Sequence, residues 1–226
     1  MTELGVVYTE IQRPNRHDVE ALSQYGTATI HEAMGRVGLM QPYMRPVYNG
    51  AKLCGPAVTA LLQPGDNWMM HVVAEQLTDG DVVVAGCITE SDAGFFGDLL
   101  ATSFRARGGT GLVIDGGVRD IADLEQLDFP VFAKTIHARG TVKETLGSVN
   151  IPVVCAGATV NPGDVVVGDA DGVVVVPQEK LADVVEASKA REATEAAVRE
   201  RLAAGELGLD VYGMRDKLAA KGLEYR

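Results

Sequence analysis

Two segments near the middle of the chain place charged side chains beside glycines. One runs from Gly94 to Asp98, and the other runs from Asp115 to Asp120 and ends in the pair Arg119-Asp120. A guanidinium group can hold a carboxylate through two parallel hydrogen bonds, and an Asp carboxylate can bind a hard divalent cation. The residue types therefore indicate chemistry on an anionic ligand beside a metal ion.

Backbone amides extend the candidate anion site. The spacing predicts a helix over residues 98–107, so the N–H groups of Gly97 to Leu100 lack partners within the helix. Helix N-termini of this kind bind carboxylates and phosphates. We therefore expect these amides to face the crevice beyond the preceding strand.

Simpler roles stay open for the same residues. Asp98 and Asp120 are also suited to capping helix N-termini, and Arg119 could pair with a surface carboxylate. The glycines beside both segments, and the position of both segments after neighbouring strands, favour the functional interpretation.

Alternating strands and helices position the two segments. We predict strands over 82–87, 112–115 and 131–134, and helices over 98–107 and 119–127. This order gives two consecutive βαβ units, in which the strands are parallel and the strand-to-helix connections lie at one edge of the sheet. The two segments are therefore predicted to be neighbours in space.

Other patterns predict elements on either side of this centre. They are two short helices within 17–34, a strand over 55–62, a helix over 68–76, and a hairpin of 165–167 with 173–176. The second short helix is predicted to begin with a capping box formed by Thr29 and Glu32. After residue 179, helical spacing predicts a long helix whose apolar face thins beyond Ala190, and we expect it to pack on a neighbouring subunit. The fold class is thus α/β, with an α/β catalytic domain expected at 1–178 and a helical extension at 179–226, which is part of the same domain or of a subunit interface.

The overall composition limits the classes of function. The chain has 226 residues, of which 46% are hydrophobic, and 31 acidic against 20 basic residues give a formal net charge of −11. This length supports one substantial core, and no apolar run is long enough to span a membrane. The acidic balance argues against sequence-independent nucleic-acid binding. Three separated cysteines and a start without an apolar leader favour a reducing cytoplasm.

The spacing of Gly94, Asp98 and Arg119-Asp120 resembles the signature of the class II pyruvate aldolases of the 4-hydroxy-4-methyl-2-oxoglutarate and 4-carboxy-4-hydroxy-2-oxoadipate type, a family related to the regulators of ribonuclease activity. The resemblance covers nearly the whole chain, with further matching segments at 65–67, 115–120, 169–177 and 205–213. It implies an α-β-β-α sandwich with a central parallel βαβ portion. It also implies a homotrimer or homohexamer with the active site between subunits.

The resemblance also implies a reaction and a role for each matching residue. The expected enzyme is a Mg²⁺- or Mn²⁺-dependent lyase that cleaves one or both aldol acids to pyruvate plus pyruvate or oxaloacetate, and that also decarboxylates oxaloacetate. Such an enzyme would serve the degradation of aromatic compounds. By resemblance, Asp120 is the metal ligand, and Asp98 orients Arg119 and a metal-bound water. The resemblance implies that the substrate is bound by Arg119 and by the amides of Gly97, Asp98, Leu99 and Leu100. It also implies an acidic residue from the adjacent subunit, for which Glu195 is the expected residue, with Glu192 and Glu200 on the same helix.

Two rival interpretations stay open beside this one. The chain could be a protein-binding regulator that inhibits a ribonuclease without chemistry of its own. Alternatively, Lys134 at the end of a predicted strand could form a Schiff base with the substrate. Three further residues, His31, His71 and Cys87, have polar or reactive side chains, and ordinary packing or surface roles suit each of them.

Overall fold

Runs of β-branched residues form the central strands, as is typical of strands covered on both faces. The computed structural model describes residues 4–226. The strands are β1 (Arg45–Pro46), β2 (Leu53–Leu62), β3 (Val82–Cys87), β4 (Gly94–Phe96), β5 (Gly111–Val118), β6 (Val131–Ile136), β7 (Ser148–Val149), β8 (Val153–Cys155), β9 (Ala158–Val160), β10 (Val165–Asp169) and β11 (Gly172–Val176). The helices are α1 (Arg16–Leu22), α2 (Thr27–Ala33), α3 (Trp68–Val73), α4 (Asp98–Ala106), α5 (Ile121–Gln126), α6 (Leu181–Ala203), α7 (Gly208–Val211) and α8 (Arg215–Ala220), with 3-10 turns at Ala74–Gln76 and Gln178–Lys180.

The main sheet has the strand order β1-β6-β5-β3-β2-β10-β11, with β4 beside β5 and β7 beside β2. Strands β2, β3, β5 and β6 are parallel to their neighbours within this group. Helix α4 connects β4 to β5, and α5 connects β5 to β6. The predicted parallel βαβ centre is therefore confirmed.

Three apolar cores separate four layers. The first core packs α3, α4 and α5 on the parallel strands through residues such as Met70, Phe104 and Leu124. The second lies between the two β layers, which are the parallel strands on one side and β8, β9, β10 and β11 on the other. The third packs Leu22 and other residues of α1, α2 and α6 on β10 and β11. Successive strand residues alternate between adjacent cores because their side chains point to opposite faces. This is the predicted α-β-β-α sandwich.

Three predicted element starts or ends are wrong. Strand β5 continues through Val118 instead of ending at Asp115, and α5 begins at Ile121 instead of Arg119. The strand continues because β4 pairs with its end, which satisfies backbone groups there. The capping box predicted at Thr29 is also absent, because α2 begins at Thr27. The Thr27 N–H instead donates at 2.9 Å to the carboxylate of Asp169, which is far away in the sequence.

The long C-terminal helix is confirmed as α6. Its buried residues, Leu181, Val184 and Ser188, all lie in the first third of the helix, which packs on α1 and α2. Most of the helix beyond Ser188 is exposed in the single chain. Packing of that part on a neighbouring subunit stays a prediction. Within residues 4–226, the structure has no helix that is both long and apolar enough to cross a membrane.

Candidate active site

Strand pairing brings the two glycine-containing segments together. Strand β4 lies parallel to the end of β5, with Gly94 opposite Gly117 and Phe96 opposite Val118. The Arg119 N–H then donates to the Phe96 carbonyl oxygen at 2.9 Å. The segments are neighbours as predicted, but they are paired strands at this point rather than loops.

Two glycines are needed here because other backbone and side-chain atoms approach closely. A Cβ atom at Gly117 would lie 2.5 Å from the Asp92 carbonyl oxygen, which is backbone and cannot move aside easily. A Cβ atom at Gly97 would overlap a carboxylate oxygen of Asp120. Glycine at position 97 therefore lets the Asp120 carboxylate lie directly over the start of α4.

Asp120 adopts an unusual backbone conformation at this point. Its φ of 59° is left-handed, which costs a non-glycine residue about 1–3 kcal/mol. Asp120 occupies the N-cap position of α5, yet its side chain makes no capping hydrogen bond to that helix. Its carboxylate instead accepts a long hydrogen bond from the Asp98 N–H at 3.4 Å and lies 3.5 Å from Arg119 Nε. The simple capping role considered for Asp120 is therefore not what its side chain does.

These groups line one cavity of about 170 Å³. Its walls contain every site residue predicted within one subunit, namely Gly97, Asp98, Leu99, Leu100, Arg119 and Asp120. Asp98 is the first residue of α4, and the N-cap position belongs to Gly97. The start of α4 therefore opens into the same space as the guanidinium and the carboxylate.

Four further polar residues line the cavity without having been predicted as site residues: Asn67, His71, Thr141 and Lys143. Lys143 adds a second positive charge to that of Arg119. Burial and the Lys143 charge together lower the pKa of His71, so its imidazole is neutral at pH 7. Lys143 lies in an irregular segment, where neither periodicity nor a motif marked it in the sequence.

The donor set fits a magnesium-type ion. Asp120 supplies one partly exposed carboxylate, and residues 4–226 contain no cluster of three or more His, Cys, Asp or Glu side chains suited to hold a metal. Asn67 is only 7% exposed, and its Oδ1 atom has no hydrogen-bond partner among the described residues. Mg²⁺ prefers oxygen ligands and keeps several waters, so one carboxylate and one unpaired amide oxygen, on residues that line the same polar cavity, suit it.

Glu195 lies apart from this cavity within its own chain. It is on the exposed part of α6, where its carboxylate lies 2.8 Å from Arg191 Nε. The same Arg191 also lies 3.8 Å from the Glu32 carboxylate of α2. The suggestion that Glu195 completes a neighbouring subunit's site stays a prediction.

The lysine considered for Schiff-base chemistry is poorly placed for it. Lys134 forms an ion pair with Glu90, and it does not line the cavity. The hydrogen bond to Glu90 raises the pKa of Lys134, which favours the ammonium form. A Schiff base requires the neutral amine as nucleophile, so this environment argues against that mechanism.

Comparison with known proteins identifies the family of the chain and its structural neighbours. The model of the RraA-like family, described as Aldolase/RraA, matches residues 27–175. A protein of Halalkalibacterium halodurans named "Putative 4-hydroxy-4-methyl-2-oxoglutarate aldolase" is 29% identical over 187 residues, which cover 81% of this chain and 89% of the relative.

Two solved structures share the fold. A crystal structure of an uncharacterized protein from Pseudomonas syringae has a TM-score of 0.81 at 27% identity, over 91% of this chain and 97% of that one. A Streptomyces coelicolor protein, described as an unusual member of the RNase ES inhibitor RraA protein family, has a TM-score of 0.74 at 30% identity, over 84% of this chain and 100% of that one. Because the family model covers more than half of the sequence, the chain belongs to the RraA-like family, which includes proteins named as aldolases and proteins named as ribonuclease inhibitors.

Proposed function

We propose that the chain is a class II, divalent-metal-dependent pyruvate aldolase. Its substrates would be 4-hydroxy-2-oxo acids with a further carboxylate, namely 4-hydroxy-4-methyl-2-oxoglutarate, 4-carboxy-4-hydroxy-2-oxoadipate or both. The observation that carries the proposal is the convergence of Arg119, Asp120 and the open start of α4 in one cavity. The aldolase names of several relatives support the same chemistry.

The cavity offers complementary groups for both ends of such a substrate. The amides of Leu99 and Leu100 at the start of α4 are suited to bind the carboxylate of the pyruvoyl group, because that helix end has unpaired donors and a partial positive charge. Arg119 can donate to the keto oxygen and hold it in a fixed orientation. Lys143 supplies a charge for the second carboxylate.

When a base removes the C4 hydroxyl proton, C4 becomes the carbonyl carbon of the second product and the C3–C4 bond breaks. The electron pair of that bond forms the pyruvate enolate, whose oxygen carries the negative charge until a proton is added at C3. A Mg²⁺ or Mn²⁺ ion held by Asp120 would supply a positive charge where that negative charge appears. Arg119 would stabilise the same oxygen, and Asp98 would orient Arg119 and a water in the cavity. Loss of CO₂ from oxaloacetate moves electrons to the same oxygen, so we expect decarboxylase activity at this site.

The assembly proposed for the enzyme is a homotrimer or homohexamer in the cytoplasm. In it, the exposed part of α6 would lie on a neighbouring subunit and bring Glu195 to that subunit's cavity. The proposed role in metabolism is the release of pyruvate late in the degradation of aromatic compounds.

A second candidate function is inhibition of a ribonuclease through protein binding. The fold shared with the Streptomyces coelicolor protein favours it. The pair Arg119-Asp120 over a polar cavity is not needed for such a role, and so the aldolase remains the leading proposal.

A coupled lactate dehydrogenase assay with each aldol acid and with oxaloacetate tests the proposal. We expect the protein to release pyruvate in the presence of Mg²⁺ or Mn²⁺. The release should stop after chelation with EDTA and should recover when the ion is restored. Arg119→Ala and Asp120→Ala should each abolish release and leave the oligomer intact. Full activity in EDTA would contradict the metal-dependent mechanism, and activity of both variants would contradict the assignment of the site. Absence of pyruvate release by the wild type would favour the ribonuclease inhibitor.

A further inference from the structure

One wall of the cavity lacks regular structure of its own. Residues 140–145 contribute Gly140, Thr141 and Lys143 to the lining, yet they form only one isolated bridge, between Val142 and Asp66. Something outside the segment must hold it in place, because an irregular segment has few internal hydrogen bonds to fix it.

The carboxylate of Asp66 supplies that support. Its Oδ2 atom accepts hydrogen bonds from the N–H groups of Glu144 and Thr145, each at 2.7 Å. Its Oδ1 atom accepts from the Trp68 N–H at 2.8 Å, at the start of α3. Asp66 itself is only 3% exposed, so water cannot readily replace it as the acceptor.

The same carboxylate links two walls of the cavity. Helix α3 and the residue before it carry Asn67 and His71 into the lining, and the segment on the other side of Asp66 carries Lys143. Backbone bonds from Asn67 N to Val142 O at 3.1 Å and from Val142 N to Gly65 O at 2.9 Å continue the contact on both sides of Asp66.

Asp66 is ionised at neutral pH. Burial alone would raise its pKa, but the hydrogen bonds from the amides of Glu144, Trp68 and Thr145 outweigh burial and lower the pKa. A charged acceptor forms stronger hydrogen bonds than a neutral one.

We propose that Asp66 is a positioning residue, which holds the segment 140–145 so that Lys143 lines the cavity beside Arg119. The functional part of this inference rests on the proposed aldolase activity. The structural part, that one carboxylate fixes the segment, does not.

Amide hydrogen exchange measured by mass spectrometry tests the structural part without a substrate. In Asp66→Asn, peptides covering 141–147 should exchange at least about tenfold faster than in the wild type, while peptides from β3 and β5 keep their protection. The matched control is Asp164→Asn, because Asp164 is also buried, at 2% exposed, and accepts backbone hydrogen bonds from Asn161 and Gln178 outside the cavity. Unchanged protection of 141–147 in Asp66→Asn would overturn the inference.

A double-mutant cycle with Lys143→Ala tests the functional part. In the coupled assay, Asp66→Asn should raise KM about tenfold and leave kcat within about twofold of the wild-type value. The reason is that the lost interaction with Lys143 stabilises the bound substrate and the transition state equally. The same substitution should have almost no further effect on KM in the Lys143→Ala background. An equal effect in both backgrounds, or a loss of kcat alone, would show that Asp66 does not act through Lys143.

Failure of the proposed function and failure of the variant to fold can each be distinguished from failure of the inference about Asp66. If the wild type releases no pyruvate from any of the three substrates, the proposed function fails, and hydrogen exchange alone then decides whether Asp66 fixes the segment. If Asp66→Asn does not fold, as judged by circular dichroism, Asp66→Glu replaces it, and the longer side chain should raise exchange and KM in the same direction by a smaller factor.

Discussion

At the scale of single residues, the site depends on one close approach and one strained backbone. Gly97 makes room for the Asp120 carboxylate, and Asp120 holds a left-handed conformation that directs this carboxylate away from its own helix. Strain of this kind persists where the surrounding structure fixes it, and it is frequent at functional sites. Both features follow from local packing that the sequence alone does not display.

The close approach predicts a large effect of Gly97→Ala. The added methyl group would overlap the Asp120 carboxylate and displace it from the start of α4. We expect pyruvate release to fall about a hundredfold, since a small misplacement of a catalytic group costs about that much. Gly208→Ala is the control, because a Cβ atom there would meet only ordinary contacts at 3.9 Å from the Tyr212 ring. Wild-type activity in Gly97→Ala would show that the position of this carboxylate is not important.

The strained backbone predicts a conflict between stability and activity at Asp120. Glycine adopts positive φ without a steric penalty, so Asp120→Gly should raise the free energy of unfolding by about 1 kcal/mol and abolish activity. Asp128, with a φ of 49° at the end of α5, is the matched control. Asp128→Gly should be stabilised to a similar extent and keep its activity. Urea unfolding and the coupled assay measure the two effects, and a destabilised Asp120→Gly would contradict the assignment of strain.

The residues that could be predicted were those with distinctive types and spacing. Arg119, Asp120 and the residues 97–100 line one cavity, as the position of their segments after adjacent parallel strands predicts, and their roles there stay predictions. Lys143 and Asn67 were missed as lining residues because tertiary contacts, rather than any local pattern, bring them to the cavity. The hydrogen bonds from the N–H groups of Glu144 and Thr145 to the Asp66 carboxylate connect positions 78 and 79 residues apart in sequence.

At the scale of elements, hydrophobic runs predicted the strands well and the strand ends poorly. The sequence Gly116-Gly117 predicts a loop, because glycine is unfavourable inside strands. In the structure, these glycines extend β5 because β4 and the segment around Asp92 approach the strand too closely for side chains. The candidate site therefore lies where local propensity and tertiary structure disagree.

The contact between α3 and the segment 140–145 predicts a dependence of stability on pH. The pKa of Asp66 is lower in the folded state, so its stabilising contribution is complete above the unfolded-state pKa of about 3.9 and is lost as the pH falls through the folded-state value. The difference in unfolding free energy between wild type and Asp66→Asn should thus stay constant from about pH 7 to pH 5 and shrink near pH 3.

Urea unfolding at each pH measures this difference. Gly208→Ala, which changes no titratable group, should show a difference from wild type that does not vary with pH. A difference for Asp66→Asn that stays the same at the lowest pH would contradict the proposed state of the carboxylate.

At the scale of the whole molecule, the net charge of −11 opposes the binding of a dicarboxylate or tricarboxylate. Arg119, Lys143 and the start of α4 bring positive groups into one cavity, but the carboxylates of Asp98 and Asp120 in the same lining balance the two formal positive charges. A divalent ion on Asp120 would make this cavity net positive, so the proposed metal should be required for substrate binding as well as for the reaction.

The proposed assembly predicts complementation between inactive subunits. Asp120→Asn and Glu195→Ala should each be inactive alone, but when co-expressed about a quarter of the sites would combine an intact Asp120 with an intact Glu195 from a neighbour. Co-expression of Asp120→Asn with Arg119→Ala is the control. No activity should return there, because both residues belong to the cavity of one subunit. Pyruvate release from the purified mixed oligomers measures both cases, and absence of recovery in the first would exclude Glu195 as the residue shared between subunits.

The hairpin of β10 and β11 has a consequence for how the chain finds its correct register during folding. Residues 165–167 and 173–176 are all valines, so a shift by one position would exchange the two faces without any loss of hydrophobic character. Gly168 removes this ambiguity, because a Cβ atom in its place would lie 2.8 Å from the Phe132 ring across the second core. If β10 shifted by one residue, either Val167 or Asp169 would take the place of Gly168, and its Cβ atom would overlap that ring. The Phe132 ring and Gly168 therefore favour one register of the hairpin for steric reasons, whereas the seven valine side chains are chemically identical and favour none.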